Sequence, residues 1–173
     1  NVVSVPGKLT DHYNPLNKTV NLSPEVFQGR SVASAAIAAH ECGHAVQHST
    51  SYFWLGMRSK MVPVVNASSR IMQFVFMASL FGMYSLSMGG NTILLVLIAT
   101  QAVIASFAVI TLPVEYDASR RALVWLKGAG ITNPQNHSMA EDALKWAART
   151  YLVAAVAAVT TLLYYVMLYL RRN

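Results

Sequence analysis

Charged residues and cysteine are both scarce in this 173-residue chain. Only 12% of the residues are charged, against about a quarter in an ordinary soluble domain, while 54% are hydrophobic. Intrinsic disorder is excluded, because disordered chains are rich in charge and poor in large apolar side chains. A disulfide-stapled secreted domain is excluded as well, since Cys42 is the one cysteine. No secretory signal pattern opens the sequence.

The 13 basic and 7 acidic residues leave a net charge of +6, and nucleic acid is the first partner that such a charge suggests. The basic residues are scattered, however, with no cluster beyond the Arg pairs at 120–121 and 171–172, and no nucleic-acid-binding motif is present. A basic balance beside long apolar runs is more typical of a membrane protein with a cytoplasmic face. We therefore expect the lipid bilayer as a partner and no nucleic acid.

Two long stretches of the chain contain no Asp, Glu, Lys or Arg. The first, residues 71–114, is interrupted by a Gly-Gly-Asn sequence at 89–91 that favours a turn. Because a helix of about 20 residues crosses the hydrocarbon core, we predict two spans, 71–88 and 92–114, joined by a tight hairpin. The second stretch, residues 150–170, predicts a third span with aromatic residues near both ends.

Two spans return the chain to the side that it left, so residues 1–70 and 115–149 are expected on the same side. That side contains all the basic residues except the pair at 171–172, and the positive-inside rule places it in the cytoplasm. The sequence therefore predicts a mainly α-helical integral membrane protein with three spans. We interpret residues 1–173 as a single membrane-integral domain.

The polar segment before the first span predicts a short β-hairpin followed by a helix. Residues 8–23 alternate loosely around a turn rich in Asn and Pro, as hairpins do. Ser31 is a typical N-cap for the Ala-rich segment that runs on through His48. Beyond the second span, residues 115–127 predict a helix, and another helix from about Ser138 is expected to continue into the third span.

The most specific motif is HECGH at residues 40–44, an HExxH pattern on the predicted helix. Side chains at i and i+4 project from one helix face, about 40° apart, so His40 and His44 can share one metal ion. Zinc accepts such nitrogen ligands and keeps a water position open in catalytic sites. Glu41 is one step around the helix, where a carboxylate can act on that water as general base and then acid.

Catalytic zinc needs a third protein ligand, and the sequence offers two candidates. His48, at i+8 from His40, cannot easily reach the same ion from a straight helix, which favours a supporting hydrogen-bonded role. Glu115 stands at the cytoplasmic end of the second span, where binding a cation would explain a carboxylate. Pairing of Glu115 with Arg120 or Arg121 explains the carboxylate equally well, so spacing alone does not decide whether Glu115 is a metal ligand or part of an ion pair.

Three motifs together resemble a known family: HECGHAVQH, with LTDHYNP upstream and LPVEYDASRRAL downstream. From about Gly7 to the third span, the chain is similar to the YugP-like neutral zinc metallopeptidases of bacterial membranes. Residues 115–119 also resemble the HtpX and CAAX prenyl proteases, gluzincins in which a Glu is the third zinc ligand. The resemblance implies a gluzincin-like zinc helix and one zinc ion per chain, bound by His40, His44 and Glu115.

The chain departs from the wider gluzincin pattern at Ser119, which stands where that pattern has an Asp, and Asp117 is the candidate to replace it. The hairpin segment that resembles the family's LTDHY contains His12 and Tyr13, candidates for substrate binding along an edge strand or for oxyanion stabilisation. A locally hydrogen-bonded role in the hairpin is equally well supported.

Cys42, on the helix face opposite His40, is expected in the core. Family members normally have an N-terminal span before this segment, so we expect a shortened chain.

These observations predict a zinc-dependent endopeptidase of the bacterial plasma membrane, with its active site at the cytoplasmic surface and peptides or membrane proteins as substrates. Zinc would activate water, with Glu41 as general base and acid. A site-2-type intramembrane protease is one alternative, but the uncharged stretch 31–39 is too short to span a membrane. A non-catalytic membrane scaffold or adaptor is the other, and a closed shell of four protein ligands would favour it.

Overall fold

The computed structural model describes residues 1–80 and 90–172. These residues form a small three-stranded sheet followed by helices, so the expectation of a mainly helical protein is confirmed. In chain order the elements are β1 (Val2–Ser4), β2 (His12–Asn14), β3 (Thr19–Leu22), α1 (Pro24–Phe27), α2 (Val32–Ser49), α3 (Phe53–Leu80), α4 (Gly90–Gly128) and α5 (His137–Arg172).

The chain divides into two compact units. The first unit comprises Asn1–Gly56 and Leu112–Tyr151, and the second comprises Met57–Thr111 and Leu152–Asn173. The sheet, α1 and α2 belong wholly to the first unit, while α4 and α5 each contribute residues to both. The interpretation of the whole chain as a single membrane-integral domain stays a prediction.

The sheet has the strand order β1-β3-β2, with β3 in the centre. β2 pairs antiparallel with β3, Tyr13 lying opposite Val20, which is the hairpin that the sequence predicts. β1 pairs parallel with β3, Val3 lying opposite Asn21, and extends the predicted hairpin to three strands. The three exposed residues of β1 are too few to show a period of two, so its pairing partner decides its conformation.

Small residues allow α2 to pack closely in the first unit. Ser31 caps the helix as predicted, its Oγ accepting the backbone N–H of Ser34 at 3.0 Å. One core cluster of buried side chains joins α2, α4 and α5, and it consists of Ala36, Ala39, Ala122, Leu126, Ala140 and Leu144. At Gly43 a Cβ atom would lie 2.7 Å from the carbonyl oxygen of Ala118, so a glycine is what lets α2 approach α4 this closely.

Two helices of the described chain, Asn91–Gly128 and His137–Arg172, are long and apolar enough to cross a membrane. The prediction of three spans is therefore corrected to two candidates among the residues that the structure describes. α3, which is described as far as Leu80, is not among these candidates.

The predicted first span, 71–88, is described only as far as residue 80, where it forms the end of α3. The predicted turn at 89–91 is described from residue 90, and there the chain is already helical, because α4 begins at Gly90. The remainder of that predicted hairpin, residues 81–89, lies outside the described residues.

Candidate active site

α2 presents His40 and His44 on one face, one turn apart, as their i and i+4 spacing requires. Their rings meet edge to face, with centroids 4.7 Å apart. Both side chains are largely shielded from solvent, 13% and 10% exposed respectively. The two rings therefore form a compact pair of nitrogen donors in a partly desolvated site.

Glu115 of α4 lies against this pair. Its Oε2 is 3.2 Å from Nε2 of His40 and 3.6 Å from Nε2 of His44, and its side chain is only 2% exposed. One ligand atom from each of the three residues lies within 4.8 Å of the others, so together they could hold a metal ion. The structure brings Glu115, and not His48, to the histidine pair, while the role of each as a metal ligand stays a prediction.

The donor set fits a catalytic zinc ion. Two imidazole nitrogens and one carboxylate oxygen are the protein ligands of one established type of catalytic zinc site. The distances from Glu115 to the two histidines are close to the ~3.4 Å edge of a tetrahedron whose ligands lie about 2.1 Å from the ion. Burial of Glu115 also fits, because a carboxylate removed from water needs a cation or hydrogen-bond donors in compensation.

Both histidines use their other ring nitrogen in hydrogen bonds outside the cluster. Nδ1 of His40 lies 3.1 Å from Oγ of Ser119, and Nδ1 of His44 lies 3.0 Å from Oε1 of Gln47. Metal-binding histidines commonly have such a partner, because it fixes the orientation of the ring. Ser119, which replaces the Asp of the wider gluzincin pattern, therefore still supplies a hydrogen-bonding oxygen to His40.

Asp117 belongs to a different network. Its carboxylate accepts hydrogen bonds from Arg120 and Arg121, both at 2.6 Å, and from Nε2 of Gln47 at 2.9 Å. Burial raises the pKa of Asp117, but the hydrogen bonds from Arg121, Gln47 and Arg120 outweigh burial and lower the pKa to about 2. Asp117 is therefore ionised at neutral pH and reaches His44 through Gln47.

Gln47 is a residue of this site that the sequence interpretation missed. Its side chain is completely buried, and Nε2 donates both to Asp117 and, at 2.8 Å, to the backbone carbonyl of Val114. The signal available in the sequence was its i+3 spacing from His44, which places both side chains on one face of α2. Nothing in the local pattern indicated the two acceptors on α4.

Glu41 is buried beside the cluster. Burial raises its pKa above the usual value, the charges of His44 and His40 lower it, and the charge of Glu115 raises it further. The backbone N–H of Tyr13, in the edge strand β2, faces the Glu41 carboxylate closely enough to lower its pKa. Glu41 is therefore within electrostatic range of two candidate ligands on α2, one on α4, and an edge strand of the sheet.

The remaining predicted site residues make other contacts. His48 is hydrogen-bonded through Nδ1 to the hydroxyl of Tyr13 at 2.7 Å, so α2 and the sheet are joined at this point. Nδ1 of His12 donates to a backbone carbonyl of its own hairpin at 2.7 Å, and its Nε2 lies 3.2 Å from Nδ2 of Asn21. His12 therefore has the locally hydrogen-bonded position in the hairpin that the sequence left open.

The expectation that Cys42 lies in the core is wrong, because its side chain is exposed. Cys42 is on the face of α2 opposite His40, and the packing of α2 against α4 involves the other face.

A helix with an HExxH motif whose histidines meet a glutamate from a second helix defines a class of site, that of metal-dependent peptidases. Comparison with known proteins agrees: residues 1–170 match the family described as "Putative neutral zinc metallopeptidase", and the chain belongs to that family. It is 38% identical over 169 residues to the "Putative membrane protease YugP" of Bacillus subtilis (strain 168). That match covers 98% of this chain and 72% of the relative. No solved structure matches the chain.

The family resemblance drawn from the three sequence motifs is thereby confirmed. Zinc is the metal that the family's description implies, and the cluster of His40, His44 and Glu115 is a possible site for it.

Proposed function

We propose that this protein is a zinc-dependent endopeptidase that acts at the surface of a membrane. The observation that supports it most directly is the meeting of His40, His44 and Glu115 in one buried cluster with Glu41 beside it. In this proposal the first three residues bind one zinc ion per chain, as in the gluzincins, and Glu41 is the catalytic base and acid.

When bound, zinc supplies Lewis-acid chemistry, which polarises the scissile carbonyl and lowers the pKa of water. Glu41 takes the proton from the attacking water as the new carbon–oxygen bond forms. It then gives that proton to the amine nitrogen as the carbon–nitrogen bond breaks.

The edge strand β2 is the proposed binding surface for the substrate backbone. β2 is at the edge of the sheet in the described residues, and its residue Tyr13 has a backbone N–H close enough to the Glu41 carboxylate to lower its pKa. An extended peptide can add to such an edge through main-chain hydrogen bonds, which would place a peptide bond beside the general base. This arrangement suits peptides and locally unfolded segments of membrane proteins as substrates.

The apolar runs of α4 and α5 are the proposed membrane anchors. Both helices are long enough to cross a bilayer, and the relative from Bacillus subtilis is named a membrane protease. Lys and Arg are concentrated in residues 1–70 and 115–149, so we place the candidate active site on the cytoplasmic side of the bacterial plasma membrane.

The test uses detergent-purified wild type, Glu41→Gln and Glu115→Ala, with metal content and cleavage of an unstructured protein measured on the same samples. We expect about one zinc per chain in wild type and Glu41→Gln, with cleavage by Glu41→Gln lowered about 10²- to 10⁴-fold. Glu115→Ala should lose most of its zinc and its activity, because two histidines alone bind the ion weakly.

Glu141→Ala is the matched control, since the Glu141 side chain is exposed on α5. It should keep both zinc and cleavage. Undiminished cleavage by Glu41→Gln would contradict the assigned base, and an unchanged zinc content in Glu115→Ala would contradict the assigned third ligand.

A further inference from the structure

We propose that Gln47 is a positioning residue that makes His44 an Nε2 metal ligand, because its amide is held in one orientation by α4. This inference rests on the proposed function and deepens it. It assigns a role to a residue that belongs to neither the HExxH motif nor the candidate ligand set.

The orientation of the Gln47 amide follows from its neighbours. Nε2 lies 2.8 Å from the backbone carbonyl oxygen of Val114 and 2.9 Å from Oδ2 of Asp117. Both are acceptors, since a carbonyl oxygen has no proton and the same Oδ2 accepts a hydrogen bond from Nε of Arg121 at 2.6 Å. A flipped amide would place its oxygen against these two oxygens and lose both hydrogen bonds. The NH₂ group must therefore face α4.

The orientation of the amide in turn decides the tautomer of His44. Oε1 of Gln47 lies 3.0 Å from Nδ1 of His44 and can only accept. Nδ1 must therefore have the proton, which leaves the lone pair of the neutral imidazole on Nε2. That is the nitrogen that lies 3.6 Å from Oε2 of Glu115, inside the candidate metal cluster.

The same amide connects two of the three candidate ligands. Val114 immediately precedes Glu115, so the hydrogen bond from Gln47 holds the turn of α4 from which Glu115 projects. One buried side chain thus couples the ring orientation of His44 to the position of Glu115. The oxygen of the Gln47 amide has one hydrogen-bond partner and the NH₂ group has two, and the solvent exposure of Gln47 is 0%.

His40 has no equivalent constraint. Its Nδ1 lies 3.1 Å from Oγ of Ser119, and a hydroxyl can either donate or accept. The two histidines of the motif are therefore held differently, and the stricter constraint falls on His44. Replacing Gln47 should weaken metal binding more than replacing Ser119.

The experiment measures zinc affinity of the full chain in detergent, at one fixed pH, by competition with a chromophoric chelator. Gln47→Met keeps the length of the side chain and removes both functions of the amide, so we expect zinc binding about 10- to 100-fold weaker.

Gln101→Met is the matched control. Gln101 is also buried and also donates its amide to a backbone carbonyl, that of Ala158 at 2.9 Å, but it belongs to the second unit. The zinc affinity of Gln101→Met should stay within about twofold of wild type. Replacing a residue that orients a ligand is expected to weaken the affinity at least 10-fold. Thermal unfolding of each variant shows whether it is folded before zinc is added.

A second readout, the ¹⁵N spectrum of the histidines in the metal-free protein at a pH at which His44 is neutral, tests the tautomer directly. We expect His44 to be protonated at Nδ1 in wild type and to become a mixture of tautomers in Gln47→Met. A role of Gln47 in packing alone predicts that the protonated nitrogen of His44 is the same in both proteins.

The outcomes separate this inference from the proposed function. If wild type binds zinc and Gln47→Met binds it as tightly, or if Nδ1 of His44 keeps its proton as fully in Gln47→Met as in wild type, the positioning role is overturned and the zinc site stands. If folded wild type and Gln101→Met both bind no zinc, the proposed function itself fails and this inference fails with it.

Discussion

The first unit buries polar side chains, whereas the end of α5 in the second unit exposes apolar ones. Glu41, His44, Gln47, Glu115 and Asp117 all lie in the interior of the first unit. Along α5 after residue 151, exposed apolar side chains follow one another over more than four turns: Leu152, Val153, Val156, Leu163, Tyr164, Met167 and Leu170.

This inversion indicates two different surroundings for one chain. Buried polar groups are tolerated where they bond to one another, and the hydrogen bonds of Gln47 and Asp117 show such bonding. A long exposed apolar helix is tolerated where its surroundings are not water. The first unit thus has a polar site held together by its own hydrogen bonds, and the second unit has an exposed apolar helix surface on a candidate membrane helix. Substitutions in the polar site and on the apolar surface of α5 test this difference, from the largest expected effect to the smallest.

Replacing Asp117 should disrupt the buried polar network most severely. Asp117→Ala leaves one N–H of buried Gln47 and the partly exposed Arg121 without their acceptor, so we expect a loss of about 3 kcal/mol in the free energy of unfolding. Chemical denaturation in detergent measures it. Asp142→Ala removes an exposed carboxylate and should change stability by less than about 0.5 kcal/mol. Equal losses in the two variants would show that the network adds no stability.

Placing a charge on the exposed apolar surface of α5 should weaken its insertion into a membrane. Val156 is 58% exposed and lies within the apolar run of α5, so Val156→Lys should cost about 2.5 kcal/mol in membrane insertion. The measurement is the fraction of protein that stays in membranes after alkaline carbonate extraction. Val156→Met is the control and should behave as wild type. Full retention of Val156→Lys would argue that this surface does not meet lipid.

The sequence reveals those parts of the site that depend on one helix alone. The pairing of His40 with His44 follows from a spacing of four residues, and the cap at Ser31 from its residue type. The contact of Glu115 with that pair crosses 75 positions in the chain, and no local period encodes it. Helix geometry disfavoured His48, but spacing did not decide whether Glu115 binds a metal or pairs with Arg120 or Arg121. The resemblance to gluzincins favoured the metal.

Features that depend on tertiary packing were not predictable from the local pattern. Gln47 looks like any polar helix residue until α4 supplies its acceptors. β1 is a strand because β3 offers it a parallel partner, and Cys42 is exposed although its spacing suggested burial. Among the described residues two helices, not three, are long and apolar enough to cross a membrane, because the predicted first span is described only as far as residue 80.

Gly43 tests how closely the two site helices must approach. A Cβ at this position would lie 2.7 Å from the carbonyl oxygen of Ala118, so Gly43→Ala must push α2 and α4 apart. We expect a loss of about 1 to 3 kcal/mol in stability, together with weaker zinc binding. Gly56→Ala is the matched control, since no atom lies within 4 Å of its Cβ, and it should be neutral or stabilising by up to about 1 kcal/mol. Identical behaviour of the two variants would refute close packing at the motif.

Ser119→Ala is expected to have the smallest effect, and it separates the two histidines of the motif. It removes one hydrogen bond from Nδ1 of His40 while leaving Gln47 in place, so zinc affinity should fall about 3- to 10-fold, equivalent to about 0.5 to 1.5 kcal/mol. Ser138→Ala, at an exposed position of α5, should leave zinc affinity unchanged. A loss as large as that of Gln47→Met would mean that the hydroxyl constrains His40 as strongly as the fixed amide constrains His44. Zinc binding would then depend equally on the hydrogen bonds of Ser119 to His40 and of Gln47 to His44.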